Sequence, residues 1–266
     1  EVPLPMGVYD IIVFNRSFND FSNIAFRGNS YETLEAYARK VETRVDKKTR
    51  VETRTIISSP DELAAATLEG FTVTEDMLGN YSQTTYGRTA PSRSSEETPD
   101  GLYHLHFVPK KLTREVSAVL HIEGLNNIRS ATCRLGGVAE SIFLATGKTS
   151  ANTVTQEFTP SNPEFSPGSP FNGTLSCEFE IFGLNVIDNN NLHLDALLVD
   201  GKTEFEGDCT NVKITENDDG TGSVTLILEA STEKVPDVKP EGGAGSGFDV
   251  DVDGWGNEIN TDIPIN

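Results

Sequence analysis

The sequence contains few cysteines and few positively charged residues, and each shortage excludes some classes of function. Three cysteines, Cys133, Cys177 and Cys209, occur in 266 residues, and their wide spacing fits neither a disulfide scaffold nor a Cys-x-x-Cys metal site. Lysine and arginine number 21 against 41 acidic residues, which gives a net charge of -20. Because this charge repels phosphate backbones, no nucleic-acid partner is predicted.

The sequence also lacks long apolar runs and a leader segment. A membrane-spanning helix needs about 18 or more consecutive apolar residues, and the sequence contains no such stretch. The chain begins with residues 1–5 (EVPLP), with no charged-then-apolar leader before them. We therefore expect a mature or trimmed product, large enough for one large domain or two ordinary domains.

Alternation of apolar and polar residues with a period of two dominates the sequence and predicts a β-rich fold. Strands are predicted at residues 8–14, 102–108, 116–122, 175–182, 192–199 and 224–228. Turns with Asn or Asp before Gly are predicted at residues 172–173, 200–201 and 217–220. This order of short strands and tight turns is typical of hairpin architecture.

Two short stretches in the first half have a helical pattern instead. Residues 30–39 offer Ser30 as an N-cap, and residues 59–68 carry Pro60 in their first turn. Both are therefore predicted to be short helices.

A change of composition near residues 109–113 divides the chain into a mixed segment and an almost pure strand-and-turn segment. The sequence therefore predicts a mainly all-β protein with two tandem β-sandwich domains, residues 1–111 and 112–266, and one or two short helices in the first. The charged pattern VETR occurs at 41–44 and again at 51–54. A solvated hairpin or loop is favoured there over a protease-sensitive segment.

Cysteine and histidine are the residues most open to a chemical interpretation. Cys177 lies in the alternating segment LSCEFEI, which predicts a buried free thiol; a disulfide through Cys133 or Cys209 is the alternative. His104 and His106 lie two apart on one face of a predicted strand, where metal ligands could sit. Because no Cys, Asp or Glu completes a ligand spacing, two solvent-facing histidines are the favoured interpretation.

Motifs for catalysis and phosphate binding are missing from the sequence. No GxSxG nucleophile elbow occurs, since Ser246 is flanked two residues away by Ala244 and Phe248. The glycine run at 242–247 contains no Lys-Ser or Lys-Thr pair and leads into an acidic strand, so dinucleotide and P-loop motifs do not fit. Neither an enzymatic activity nor a cofactor is predicted.

An acidic segment near the C-terminus has the spacing of the first half of a calcium loop. Asp249, Asp251, Asp253 and Gly254 match loop positions one, three, five and six. Position twelve is Asn260 instead of the bidentate Glu, and no helical pattern flanks the segment. The solvated face of a strand is therefore favoured over a weak calcium site, and no metal is predicted.

Three parts of the sequence together resemble the fimbrillin-like surface lipoproteins of Bacteroidetes. Residues 4–15 (LPMGVYDIIVFN) resemble the LPxGxYxxxxxN strand of that family. Residues 26–28 and 31–39 are similar to the segment that follows in one branch of it. The glycine-rich run into residues 248–255 and the ending at 262–265 resemble the C-terminus of that branch, so the likeness extends over nearly the whole chain.

The resemblance implies two transthyretin-like β-sandwich domains and export to the cell surface as an outer-membrane lipoprotein. Family members build, cap or anchor fimbriae by strand exchange, so the implied partners are other fimbrial subunits, or host or bacterial surface ligands in cell adhesion. In the branch, a lipidated Cys and a first strand precede residue 4; neither is present here, so that piece is either removed by proteolysis or lies before residue 1. Anchors keep these parts whereas polymerising subunits lose them, which leaves the anchor, stalk and tip roles open.

A strand that has lost its hydrogen-bonding neighbour exposes a groove. The predicted strand-exchange groove consists of Val8, Ile11, Ile12, Val13 and Phe14. A donor-type strand is predicted near the C-terminus, formed by Ile259, Thr261, Ile263 and Ile265. The alternative is that this segment is the last strand of its own domain.

A glycan-binding β-sandwich module is the alternative function from a different class. Flat aromatic side chains often contact sugars, and the candidates are Trp255, Tyr81 and Tyr86. The sequence contains one Trp, and a lone Trp is more often a core anchor than a ligand contact. The glycan hypothesis therefore stands second.

Overall fold

A computed structural model describes residues 4–45, 53–78, 95–97, 103–185, 190–218 and 224–240. Within these ranges the chain is almost entirely β. The first nine strands lie before residue 112: β1 (Gly7–Phe14), β2 (Ile24–Arg27), β3 (Glu35–Ala38), β4 (Lys40–Val45), β5 (Thr53–Ile57), β6 (Ala64–Val73), β7 (Ser95–Glu97), β8 (Tyr103–Leu105) and β9 (Lys110–Lys111).

Ten further strands follow residue 112 and include the longest of the fold. They are β10 (Arg114–Glu123), β11 (Ile128–Ala139), β12 (Ser141–Phe143), β13 (Thr153–Phe158), β14 (Asn162–Phe165), β15 (Asn172–Ile181), β16 (Leu192–Leu198), β17 (Glu204–Asp208), β18 (Thr210–Asp218) and β19 (Val224–Ser231). Short 3₁₀ turns occur at Phe18–Asp20, Glu75–Leu78 and Leu125–Asn127. None of the described helical turns is long and apolar enough to cross a membrane.

Two large sheets form the body of the protein. One has five strands in the order β14-β15-β10-β19-β18, and the other has six in the order β17-β16-β11-β13-β5-β4. Most neighbouring strands are antiparallel, while β10 pairs with β19 and β13 with β5 in parallel. Smaller sheets, β1-β6-β9, β12-β3-β2 and β7-β8, complete the described fold.

The two large sheets share one hydrophobic core, as in a β-sandwich. In β10 every second residue from Val116 to Ile122 is buried, as period-two packing requires. In β16 Leu192 and Leu194 are buried, as are the later alternate residues. Phe158 of one sheet stacks on Phe179 of the other with ring centroids 4.3 Å apart. The predicted all-β sandwich class is therefore confirmed.

The predicted helix at residues 30–39 is wrong, because this segment turns and then extends. The Ser30 carbonyl accepts a hydrogen bond from the Leu34 N–H at 2.9 Å, which closes a turn. The chain continues as β3, which pairs with β2 on one side and β12 on the other. Ala36 and Ala38 are buried on one face of β3, so tertiary packing overrides the helical propensity of alanine.

The predicted helix at residues 59–68 is wrong for a similar reason. The chain has no regular structure at residues 58–63, and the alanine-rich segment that follows begins β6. This strand pairs with β1 over most of its length and with β9 at its start. Ladder hydrogen bonds on both sides outweigh the weak local preference of three alanines for a helix.

The predicted strands are confirmed at five of the six places, with small shifts at their ends. At residues 102–108 the described strand is only β8, and residues 106–109 have no regular structure. The first VETR segment lies in β4, and Thr53 and Arg54 of the second lie in β5; the two strands pair antiparallel, which agrees with the predicted hairpin. The turn at residues 200–201 is confirmed by Gly201, whose φ is 69°. The pair at 172–173 instead starts β15, and Gly173 is required because an added Cβ would lie 2.1 Å from the Glu164 carbonyl.

The predicted division between residues 111 and 112 runs through shared sheets. Strands β4 and β5, before the division, belong to the six-stranded sheet with β11, β13, β16 and β17 after it. Strand β12 likewise pairs with β3. Two separately folding domains stay a prediction, but the buried residues from both sides join one core.

Candidate assembly edge and acidic hairpin

Strand β1, which carries the predicted strand-exchange groove, lies at the edge of its sheet. It pairs with β6 from Gly7 to Phe14, and β6 pairs in turn with β9. No strand lies on the other side of β1 within the ranges that the structure describes. A row of backbone N–H and C=O groups on that side is therefore left without a neighbouring strand.

Side-chain hydrogen bonds hold β1 firmly against β6. The ladder shifts between Tyr9 and Ile11, and Gly70 of β6 adopts a φ of 65° there, which is typical of a β-bulge. The Asp10 carboxylate accepts a hydrogen bond from the Gly70 N–H at 2.8 Å. Just after the strand ends, the Asn15 side-chain oxygen accepts one from the Ala64 N–H at 3.1 Å. The position of the edge is thus fixed at its middle and at its C-terminal end.

The side chains of β1 are only partly covered. Ile12 and Phe14 pack against the core, and Phe14 lies 5.4 Å from Phe26 in a group of phenylalanine rings. Ile11 and Val13 are half-buried on the opposite face, while Val8 at the start of the strand is 70% exposed. The structure therefore brings the five groove residues together on one edge strand, and their role in strand exchange stays a prediction.

The remaining predicted contact residues, most of them near the C-terminus, lie outside the described residues. These are the donor residues Ile259, Thr261, Ile263 and Ile265, the calcium candidates Asp249, Asp251 and Asp253, and the aromatic residues Trp255, Tyr81 and Tyr86. His104 and His106 are described, and both are exposed. This confirms the interpretation of two solvent-facing histidines.

All three cysteines are free thiols, which confirms the free state predicted for Cys177, although its side chain is half-buried and not fully buried. Burial raises the pKa of Cys133 well above its ordinary value. Burial, with the nearby Glu178 carboxylate, raises the pKa of Cys177 to about 11. Burial likewise raises the pKa of Cys209 to about 11. Because the thiolate is the reactive form, these three thiols are poor nucleophiles at neutral pH.

A cluster of polar residues that sequence reasoning missed lies on the hairpin of β16 and β17. The register pairs His193 with Asp208 and Asp195 with Glu206, so all four side chains point to one face. The His193 Nδ1 atom lies 2.8 Å from an Asp208 carboxylate oxygen, and its Nε2 atom lies 3.2 Å from Asp195 Oδ1. We call His193, Asp195, Glu206 and Asp208 the acidic hairpin cluster.

Arg134 of β11 supports this cluster from the neighbouring strand. Its Nη2 atom forms an ion pair with Asp195 Oδ2. The Asp195 Oδ1 atom is shielded from solvent and faces His193. One potential ligand atom each from His193, Asp195 and Glu206 lies within 4.8 Å of the others. A shallow depression of about 230 Å³, lined in part by Asp195 and Glu206, opens beside them.

The signal for this cluster was present in the sequence. A His-x-Asp pair falls in one predicted strand and a Glu-x-Asp pair follows the Asp-Gly turn, and period-two spacing puts each pair on one face. The sequence does not give the register that brings the two pairs together. That register follows from the turn, where the Asp200 carboxylate accepts hydrogen bonds from the N–H groups of Lys202 and Thr203 at 3.0 and 2.9 Å.

Comparison with known proteins gives one sequence family and distant structural likenesses. A family model described as "Domain of unknown function (DUF5119)" matches residues 1–159. No curated protein matches the sequence at a significant level.

The similar solved structures are described as crystal structures of a "putative adhesin". One from Bacteroides ovatus has a TM-score of 0.48 and 16% identity, over 77% of this chain and 66% of its own. The one from Bacteroides thetaiotaomicron has a TM-score of 0.40 and 13% identity, over 78% of this chain and 61% of its own. The chain thus spans less than two thirds of the length of these proteins, and at such scores the likeness carries no further conclusion.

Proposed function

We propose a cell-surface role for this chain, which belongs to the DUF5119 family. In this proposal it is an exported, non-enzymatic protein of the fimbrillin-like class that takes part in adhesion by pairing β-strands with a partner chain. The partner is another fimbrial subunit or a second copy, and the strand-pairing surface is the open edge of β1. The observation that carries the proposal is the unusual composition of that edge.

Edge strands in soluble proteins are normally protected by charge, proline or short length. The edges of the two large sheets follow this rule: β17 reads EFEGD, β4 reads KVETRV, β14 contains Pro163, and β18 ends in a run of polar residues. Strand β1 reads GVYDIIVF, with one charged residue and four consecutive apolar residues. An edge of this kind favours addition of a strand from another chain.

Two further observations support a binding role over catalysis. The net charge of -20 fits a protein that stays soluble while presenting an apolar edge. The three thiols, the most reactive nucleophiles available to the chain, have raised pKa values and stay protonated at neutral pH. Neither feature points to a reaction centre, and both are compatible with a structural protein.

A lysine substitution at the open edge tests the proposal. Val8→Lys is expected to abolish or strongly weaken self-association of the untagged full chain in analytical ultracentrifugation, because a strand added beside it would bury the new charge. Val108→Lys is the matched control, since Val108 is 84% exposed and lies outside any strand. Equal self-association of both variants and the parent would contradict the role of β1.

A deletion tests where the added strand comes from. Removing residues 258–266 is expected to abolish self-association while leaving the melting temperature of the monomer unchanged. A large fall in that melting temperature would show instead that the segment belongs to its own core. A parent chain that stays monomeric and also fails to bind a synthetic peptide of residues 258–266 would contradict pairing between copies.

A further inference from the structure

We propose that the acidic hairpin cluster is a zinc site, in which His193 Nε2, Asp195 Oδ1 and a Glu206 carboxylate oxygen are the protein ligands. The inference is independent of the strand-pairing function. It rests on the geometry of β16 and β17, on the hydrogen bond that orients His193, and on the charge around Asp195.

The spacing of the ligand atoms fits a metal ion after small side-chain rotations. A tetrahedral zinc ion with bonds of about 2.0–2.1 Å holds its ligand atoms about 3.3 Å apart. The Nε2 atom of His193 and Oδ1 of Asp195 are already 3.2 Å apart. The Glu206 oxygen completes a set whose members all lie within 4.8 Å of one another. Glu206 is exposed, so its side chain is free to rotate toward the other two.

The hydrogen bond to Asp208 determines which nitrogen of His193 faces the other ligands. The Nδ1 atom lies 2.8 Å from an Asp208 carboxylate oxygen. Because an ionised carboxylate can only accept, a hydrogen bond at this contact requires the hydrogen on Nδ1. In the neutral imidazole, Nε2 then presents its lone pair to Asp195 Oδ1. A carboxylate that orients a ligating histidine in this way is the usual support of a zinc-bound imidazole.

The charge of the site favours a divalent cation. Asp195, Glu206 and Asp208 contribute three negative charges. Arg134 forms an ion pair with Asp195 Oδ2 and offsets one of them. This ion pair occupies one carboxylate oxygen and aims the other, Oδ1, at His193. The half-buried position of Asp195 strengthens attraction for a cation relative to bulk water.

The types of ligand atom determine which cation fits the site best. An imidazole nitrogen with two carboxylate oxygens suits zinc, whereas calcium and magnesium prefer oxygen ligands alone. The fourth coordination position would face the adjoining depression, where water or a ligand from outside can enter. We therefore expect a surface zinc site with one open position.

Isothermal titration of zinc chloride into the untagged full chain at pH 7.5 tests the site. One saturable zinc ion per chain is expected. Asp208→Asn should weaken binding by about 10-fold, as for other groups that orient a ligating histidine, and Glu206→Gln and His193→Ala should weaken it more. His106→Ala, which removes an exposed histidine from a different part of the chain, should leave the affinity unchanged.

Glu206→Gln keeps the test valid even if His193→Ala unfolds the hairpin, because Glu206 is exposed and the change preserves its shape. Nitrogen NMR of His193 adds a second readout: zinc should shift the Nε2 resonance and leave Nδ1 protonated. Three outcomes would overturn the proposal: no saturable binding, unchanged affinity in the Glu206→Gln variant, or a His193 Nε2 resonance that does not shift when zinc is added.

Discussion

Two edge strands of this protein, β1 and β17, have opposite compositions, although each leaves a row of backbone hydrogen-bonding groups without a neighbouring strand. Each has a neighbouring strand on one side only in the described structure. Strand β17 carries three acidic residues in five positions, while β1 carries one in eight. Because a strand that pairs with β17 would bring its backbone beside these carboxylates, β17 is protected against addition, whereas β1 is not.

Under the two proposals made above, this difference corresponds to two separate uses for sheet edges in one molecule. The apolar edge of β1 is suited to extended pairing with another chain, where ladder hydrogen bonds supply the register. The acidic edge of β17 is suited to a small cation, because its carboxylates alternate on one face beside His193.

The largest effect is expected from loss of the anchor beneath β1. Phe14→Ala should lower the free energy of unfolding by about 2–3 kcal/mol, at or below the lower end for buried phenylalanines because Phe14 is half-buried. The ring packs on Phe18, Phe21 and Phe26. Urea unfolding measures the change. Phe165→Ala is the control, since Phe165 is 48% exposed and its loss should cost no more than about 0.5 kcal/mol.

A smaller effect is expected when the acidic edge is made to resemble the apolar one. Glu204→Val with Glu206→Val should increase self-association in analytical ultracentrifugation, because the charges that protect β17 are removed. Glu178→Val with Glu229→Val makes the same change on β15 and β19, inside the five-stranded sheet. If both double variants associate equally, net charge and not edge protection controls assembly.

The predictions that rested on alternating burial were mostly correct, whereas those that rested on local helix propensity were wrong. The strands around Val116 and Leu192 were predictable because burial of alternate residues leaves a direct period-two trace. The segment around Ala36 was assigned to a helix because local propensity favours one, while pairing with β12, more than a hundred residues away, decides the outcome. A single sequence shows the local preference for a helix but not the pairing with a distant strand that overrides this preference.

Each candidate site was likewise only partly predictable from the sequence. The apolar composition of β1 was visible in the sequence. The sheet topology was needed to show that β1 has a neighbouring strand, β6, on one side and none described on the other. Half of the acidic hairpin cluster was visible as His193 and Asp195 in one strand. The other half joins it through register, and Arg134 joins it from a strand about sixty positions earlier in the chain.

The smallest effect concerns the turn that sets the register of the acidic edge. Hydrogen bonds from the Thr203 hydroxyl, then from the N–H groups of Thr203 and Lys202, lower the pKa of Asp200. The stabilisation is therefore present above the unfolded pKa of about 3.9 and is lost as pH falls through the lower folded value. An NMR titration of the Thr203 amide should give a midpoint below about 3.9. A midpoint at or above this value would show that the turn does not stabilise the carboxylate.

Amide hydrogen exchange of the full chain, compared between monomer and assembly, tests the central claim most directly. The account predicts that amides of β1 that face away from β6 exchange more slowly in the assembly, while the amides of β17 are unchanged. Slower exchange in β17 with no change in β1 would contradict the account, because the protected edge would then be the one that pairs.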